Sequence, residues 1–272
     1  MASFNHNLDS LKTDGYVILP NQLSSELHKS LRLAARRTRK KSWPHVRTVG
    51  KQFPPWPDAS TANDVWGIQH ILHPDISERA FEGWYASDAI LDTVEAILGV
   101  KEEELQLELC NMLVNPENTS FELSWHRDAI PADATEEEET EMLKTPNFGT
   151  QWNTALVDDE CLEVVPGSHR RVRTEAERNG QIEGIKVVLK AGDSVFYDHN
   201  ILHRAVYPTR PERLTLHACM GSTRADNQRR KTILQHGMGW VKETEFENPR
   251  LESLRKRLVV LEPEAVGYTL VG

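Results

Sequence analysis

The sequence predicts a mainly β fold, an antiparallel barrel or jelly roll with α-helices packed outside it. Three observations predict it. Arg213 to Met220 alternates strictly between polar and apolar residues, the period-two signature of a half-buried strand. Several short β-like segments follow Gly99, separated by turn signals at Pro166-Gly167-Ser168 and Ala191-Gly192-Asp193. The first hundred residues instead carry apolar side chains at helical spacing.

Taken in order, residues 8–41 read as helical, with a break at Gly15 and a second start at Ser24-Ser25-Glu26 before Leu27, Leu31, Ala34 and Ala35. Trp43 to Asp58 reads as a loop because it holds Pro44, Pro54, Pro55 and Pro57. Ile76 to Leu98 reads as helix, with Phe81, Trp84, Ile90, Val94 and Leu98 on recurring positions. Strands are expected over Leu105–Val114, Thr150–Val157, Val187–Leu189, Ser194–Tyr197 and from Arg213 onward. The expectation is a single domain over 1–272. It comprises a mostly helical part at 1–100, a β core at 101–222 and a C-terminal extension at 223–272.

Composition narrows the class. The chain has 272 residues and a net charge of −9, with 39% hydrophobic and 27% charged residues, as in an ordinary globular domain. No apolar run reaches the ~20 residues of a membrane span. The N-terminus lacks the regions of a signal peptide. Cys110, Cys161 and Cys219 are odd in number and widely spaced, so reduced thiols in the cytoplasm are expected. The net negative charge argues against nucleic acid as a partner. It hides an asymmetry: 29–51 holds nine Lys/Arg and no acid, whereas 133–141 holds six acids and no base.

The chemistry centres on Trp125-His126-Arg127-Asp128. In a strand His126 and Asp128 face one side and Arg127 the other. An imidazole and a carboxylate supply two metal ligands, and a second His would complete the two-His, one-carboxylate facial set of non-haem Fe(II) oxygenases. His169, His199, His203 and His217 are the candidates. On the strand from Arg213, the side chains of Arg213, Thr215, His217 and Cys219 share one face, and Leu214, Leu216, Ala218 and Met220 the other. A guanidinium inside a barrel is costly unless it binds an anion, and it suits a carboxylate. Arg213, with Thr215 as a further donor, could hold one end of a dicarboxylate that chelates the metal at the other. Asn111 could donate to the same carboxylate.

These motifs, in this order, resemble the phytanoyl-CoA dioxygenase superfamily of Fe(II)/2-oxoglutarate oxygenases. The resemblance runs over roughly residues 8–220. It is carried by Asp14-Gly15-Tyr16-Val17-Ile18-Leu19-Pro20, Trp125-His126-Arg127-Asp128, Ala155-Leu156-Val157-Asp158-Asp159, Val164-Val165-Pro166-Gly167-Ser168-His169 and Gly192-Asp193-Ser194-Val195-Phe196 through Leu202-His203-Arg204 to Arg213. It implies a double-stranded β-helix (cupin-like jelly roll), and it selects His203 as the distal ligand because the family's distal His precedes the cosubstrate Arg by about this spacing. It also places a cosubstrate-contacting side chain near Asn153. The chain departs from the family at Asp158–Cys161, where the loop is short and an Asn-Gly is absent, which is expected to alter the rim and not the ligands.

The resemblance implies Fe(II), 2-oxoglutarate and O2 as cofactor and cosubstrates, with release of succinate and CO2. The expected reaction is oxidation of a C–H bond, most simply hydroxylation, of a small, largely apolar secondary metabolite by a monomer or homodimer. An acyl-CoA, its phosphates on the basic segment, is the other enzymatic substrate class, and a non-catalytic jelly roll binding a small ligand is the reading from outside enzymology. The acidic run is expected at the mouth of the iron site, as a lid or a solvated loop. His169 is expected as a turn residue, and Trp125, Trp152 and Met112 as core or pocket wall.

Overall fold

A computed structural model describes residues 2–50, 64–146, 148–225, 229–230, 233–234 and 237–260, with side chains from residue 8 onward. The helices are α1 (Ala2–Asp14), α2 (Ser25–Arg39), α3 (Arg79–Tyr85), α4 (Asp88–Leu98), α5 (Glu136–Lys144), α6 (Glu175–Arg178) and α7 (Pro249–Val259). The strands are β1 (Tyr16–Leu19), β2 (Val46–Thr48), β3 (Val65–Ile68), β4 (Leu105–Val114), β5 (Phe121–Glu122), β6 (Gly149–Ala155), β7 (Leu162–Val164), β8 (Ile185–Lys186), β9 (Ser194–Tyr197), β10 (His203–Tyr207) and β11 (Leu214–Ser222). They form a larger sheet in the order β1-β9-β6-β11-β4-β3-β2 and a smaller one in the order β5-β10-β7-β8, antiparallel throughout. Both the jelly-roll class and the flanking helices are as the sequence predicts.

The larger sheet is apolar on one face and polar on the other. Leu214, Leu216, Ala218 and Met220 of β11 join Met112 of β4 and Trp152 of β6 in one core with Phe81, Trp84, Tyr85, Ile90, Leu91 and Val94 of α3 and α4. Trp152 stacks on Phe196 at 5.4 Å, so Trp152 and Met112 are core under the helices and not pocket wall. The opposite face carries rows of cross-strand neighbours. Thr215 pairs with Ala155, His217 with Asn153, Cys219 with Gln151 and Gly221 with Gly149. This face looks into the sandwich.

Four expectations are corrected. Tyr16–Leu19 lies inside the stretch read as helical, yet it is a strand paired along its length with β9. Val46–Thr48 is likewise a strand and not loop, while 51–58 of that predicted loop lies outside the described residues. The predicted helix at 76–98 is two helices broken at Ala86-Ser87. The strand expected at Val187–Leu189 forms at Ile185–Lys186, with Leu189 reduced to a bridge to Asp159. The first hundred residues therefore supply three strands of the larger sheet besides their helices. Short strands carry little pattern of their own, and the sheet edge they meet decides their conformation.

Two local devices fix the site's surroundings. Gly15 ends α1 at φ +83°, where a Cβ would meet His169 Nδ1 at 2.5 Å. His169 accordingly sits on its turn and donates from Nε2 to the Lys12 carbonyl at 3.2 Å, as expected of a turn residue. The β4–β11 register shifts between Ala218 and Met220. The Tyr85 hydroxyl closes this bulge from the helix layer, donating to the Cys219 carbonyl at 2.6 Å and accepting from the Glu108 N–H at 3.1 Å. Removing it leaves two buried backbone groups unpaired. Tyr85→Phe should lower unfolding stability by about 1–3 kcal/mol, read as a lower urea midpoint at unchanged m-value.

Candidate metal centre

His126 lies just before the turn into 129–134, and His203 opens β10. Their backbones form an isolated antiparallel bridge, with N–H···O distances of 3.0 Å in both directions. Asp128 is tied to the same partner segment through its N–H on the His199 carbonyl at 2.9 Å. Two chain segments remote in sequence thus deliver three side chains to one point. The candidate ligand atoms of His126, Asp128 and His203 all lie within 4.8 Å of one another, so one ion can reach all three.

The protonation state suits a cation. The Nδ1–H of His126 donates to the Ser124 carbonyl at 2.8 Å, and that of His203 to the Ile201 carbonyl at 3.0 Å. Each bond fixes the tautomer and leaves the Nε2 lone pair facing Asp128, at 3.8 and 3.7 Å from its carboxylate oxygens. Burial pushes His203 down to about 4, which keeps it neutral at physiological pH. Burial would raise the Asp128 carboxyl, but His203, His126, His199 and a hydrogen bond from Gln151 outweigh it and hold the group at about 2. The Gln151 amide nitrogen donates to Asp128 Oδ2.

A second polar cluster occupies the base of the sandwich. Arg213 donates from Nε to Asp159 Oδ2 at 3.0 Å, and its guanidinium lies over the Tyr207 ring at 4.6 Å. Its Nη1 and Nη2 are buried and find no hydrogen-bond partner among the described residues. Desolvating a charged donor without an acceptor is expensive. The pair of nitrogens presents the two-pronged edge that a carboxylate fits. Along the β6 rows, Arg213 and Asp159 lie toward the Ala155 end and Asp128 at the Gln151 end. A dicarboxylate spanning the two clusters would run past Asn153 and His217.

The predicted cosubstrate residues divide accordingly. Thr215 faces inward, but its hydroxyl donates to Asp159 Oδ2, so it steadies the partner of Arg213 and is not a spare donor. Asn153 Oδ1 accepts from the His217 ring at 2.9 Å. Asn111 sits opposite His217 on β4, and its Oδ1 accepts from the His70 N–H at 3.0 Å. His199 is not part of the ligand trio. It lies in the turn before β10 and contributes its carbonyl.

Sequence reasoning missed Asp159. It treated the short loop at 158–161 as rim, whereas the Asp159 carboxyl is buried and held below its usual range, burial being outweighed by Arg213 and by the Thr215 hydroxyl. The signal was present in Asp158-Asp159: Asp158 pairs with exposed Lys190, and its neighbour turns inward. It also missed that Arg229, from the C-terminal extension, pairs with Glu108 at 2.7 and 2.6 Å beside Gly149 and Gly221. A Cβ on Gly149 would meet Arg229 at 2.1 Å, and one on Gly221 would meet Glu108 at 2.0 Å, so these cross-strand glycines make the notch the pair occupies.

His217 is pushed down to about 3, by burial first and then by the Arg47 guanidinium. Its ordinary value is about 6.5, so the unfolded chain binds the extra proton between those limits and stability rises with pH across them. Lowering the pH from 7.5 to 5 should remove about 2 kcal/mol through this residue. Replacing His217 by Gln should flatten the urea midpoint over that range relative to the parent.

The comparisons with known proteins agree with this geometry. No curated protein matches the chain significantly in sequence. Solved structures share its fold. AviO1 from Streptomyces viridochromogenes superposes with a TM-score of 0.62 at 16% identity, covering 82% of this chain and 96% of that one. The epimerase SnoN from nogalamycin biosynthesis, in complex with Fe3+, α-ketoglutarate and nogalamycin RO, gives 0.60 at 19% identity, covering 82% and 84%. EctD from S. alaskensis, with 2-oxoglutarate and 5-hydroxyectoine, gives 0.59 at 18% identity, covering 80% and 76%. The phytanoyl-CoA dioxygenase (PhyH) family model matches residues 11–207, a span that contains the His-Asp-His trio. The chain therefore belongs to the phytanoyl-CoA dioxygenase (PhyH) family of Fe(II)/2-oxoglutarate-dependent oxygenases.

Proposed function

We propose that residues 1–272 act as one oxygenase unit that oxidises an unactivated C–H bond of a small, largely apolar metabolite. The reaction is most simply a hydroxylation in secondary metabolism, coupled to conversion of 2-oxoglutarate to succinate and CO2. In this reading His126, Asp128 and His203 hold iron and Arg213 holds the far carboxylate of 2-oxoglutarate. The observation that carries it is that the buried Nη1 and Nη2 of Arg213, in the same interior as the candidate ligand trio, have no hydrogen-bond partner among the described residues.

Iron, when bound with 2-oxoglutarate, supplies O2 activation coupled to oxidative decarboxylation. The chain's own residues hold and orient. His126 and His203 have their tautomers fixed by their Nδ1–H bonds, His203 is kept neutral by burial, and Asp128 stays ionised with Gln151 bonded to one oxygen. Asp159 and Thr215 keep the Arg213 fork turned so that its Nη edge is presented.

Several polar side chains that face this interior are already hydrogen-bonded within the protein. Asn153 meets His217, Gln151 meets Asp128, Asn111 meets the His70 N–H and Arg229 meets Glu108. With those groups satisfied, the chamber makes little demand for a polar substrate, which favours an apolar one. The basic segment lends the acyl-CoA reading little support. Arg36 pairs with Glu212, Arg37 with Glu78 and Arg39 with Asn115, and Lys41 donates to the carbonyls of Asp75 and Ile76.

Anaerobic addition of Fe(II) and then 2-oxoglutarate should produce a weak visible charge-transfer band. His203→Ala should abolish it, and persistence of the band in that variant would sink the assignment. Arg213→Met should retain metal binding but weaken 2-oxoglutarate by roughly 10- to 150-fold, the equivalent of losing charge-assisted hydrogen bonds worth ~1.5–3 kcal/mol. Succinate release across a metabolite panel then identifies the substrate.

A further inference from the structure

The acidic run that the sequence places at the mouth of the site is a short helix, α5, started by Thr135 and Glu138 in a reciprocal cap. Glu136, Glu137, Glu138 and Glu141 are exposed, as a solvated helix face should be. Glu139 is not: it is fully buried. Its carboxylate accepts from the Arg173 N–H at 3.1 Å, from Arg173 Nε at 3.2 Å and from Arg178 Nη2, and it lies 3.3 Å from Arg127 Nη2.

Arg127 is the residue between the ligands His126 and Asp128. Alternation sends its side chain away from the metal face, and there it is 1% exposed. Its Nη2 also donates to the Arg171 carbonyl at 2.9 Å. The same arginines fasten the turn after Asp128: Arg173 donates to the Ala132 carbonyl at 2.6 Å and Arg178 to the Ala134 carbonyl at 2.9 Å. Three segments meet on one carboxylate: the ligand turn, α5 and residues 171–178.

We propose that Glu139 is a positioning residue for the metal ligands, acting through Arg127, an inference that rests on the metal reading above. The ligand segment is not part of a regular strand. On the front its backbone is held by the bridge to His203 and by the His199 carbonyl, and behind it Arg127 is held by Glu139. Because His126 and Asp128 flank Arg127, turning that peptide moves both ligands at once. Arg213 is oriented separately by Asp159, so the cosubstrate anchor is independent of this clamp. Outer partners that orient ligands typically govern metal affinity by 10- to 100-fold.

The test uses the full-length chain with Glu139→Gln, which keeps the side chain's size and removes its charge. A second variant, Arg178→Gln, alters the same cluster from its more exposed side. Mn(II) affinity, 2-oxoglutarate affinity at saturating Mn(II), the position of the anaerobic Fe(II)/2-oxoglutarate band and the melting temperature are measured for each. Glu139→Gln should weaken Mn(II) binding about tenfold or more and shift or broaden the band, with 2-oxoglutarate affinity at saturating metal close to the parent's. Arg178→Gln should act in the same direction and less. A folded variant with parental Mn(II) affinity and an unshifted band overturns the proposal, even if it melts earlier, because a purely structural contact would change melting alone. If Glu139→Gln does not fold, the same two readouts on Arg178→Gln decide. A parent chain that binds Mn(II) but never forms the band counts against the proposed function, and the Mn(II) comparison still decides the role of Glu139.

Discussion

The site depends on a single antiparallel bridge, in which His126 and His203 exchange N–H···O bonds of 3.0 Å. Side chains directly opposite each other on paired strands point the same way, and here that rule brings the two rings to a centroid separation of 4.4 Å. Asp128, two residues on, falls on the same side. Pairing one residue of each segment is thus enough to place all three candidate ligands. The smaller sheet matters because β10 carries His203 and is held on one side by β5 and on the other by β7.

A polar sandwich interior is costly unless its charges are matched, and the matching follows a pattern. Asp159 meets Arg213 and Glu108 meets Arg229, and behind the ligand segment Glu139 meets three arginines. Asp159 comes from a short loop, Glu108 from beside a bulge and Glu139 from a helix outside both sheets. The rest of the larger sheet obeys simple alternation, and the helices cover its apolar face. Where alternation is interrupted a side chain can be re-aimed, as Glu108 is at the β4–β11 register shift, where it meets Arg229.

This division explains what the sequence made legible. Alternation is local, so the inward and outward sets of β11 could be read directly, and with them Arg213 and the packing of Leu214, Leu216, Ala218 and Met220 under the helices. The three residues of the candidate metal trio could be picked out through the order of the motifs. By contrast, Tyr16–Leu19 and Val46–Thr48 are too short to show a period, and they are strands because β9 and β3 offer them unpaired edges. Thr215 lies on the face its spacing predicts, whereas its bond to Asp159 does not follow from spacing, because that partner sits on a remote loop.

The charge asymmetry shows the same limit from the other direction. The basic segment and the acidic run look complementary in sequence, yet in the fold they do not meet as blocks. Arg36 and Arg37 find Glu212 and Glu78, which lie outside the acidic run, while the buried member of that run is taken by Arg127, Arg173 and Arg178, which lie outside the basic segment. One residue of the basic segment goes further inward: Arg47 of β2 reaches across Gly67, lies 5.5 Å from the Trp66 ring and helps to keep His217 neutral. Charge runs thus report exposure of the segment as a whole. The few members that matter to the site are singled out by the backbone they sit on, an inward position on a strand or the inner side of a short helix.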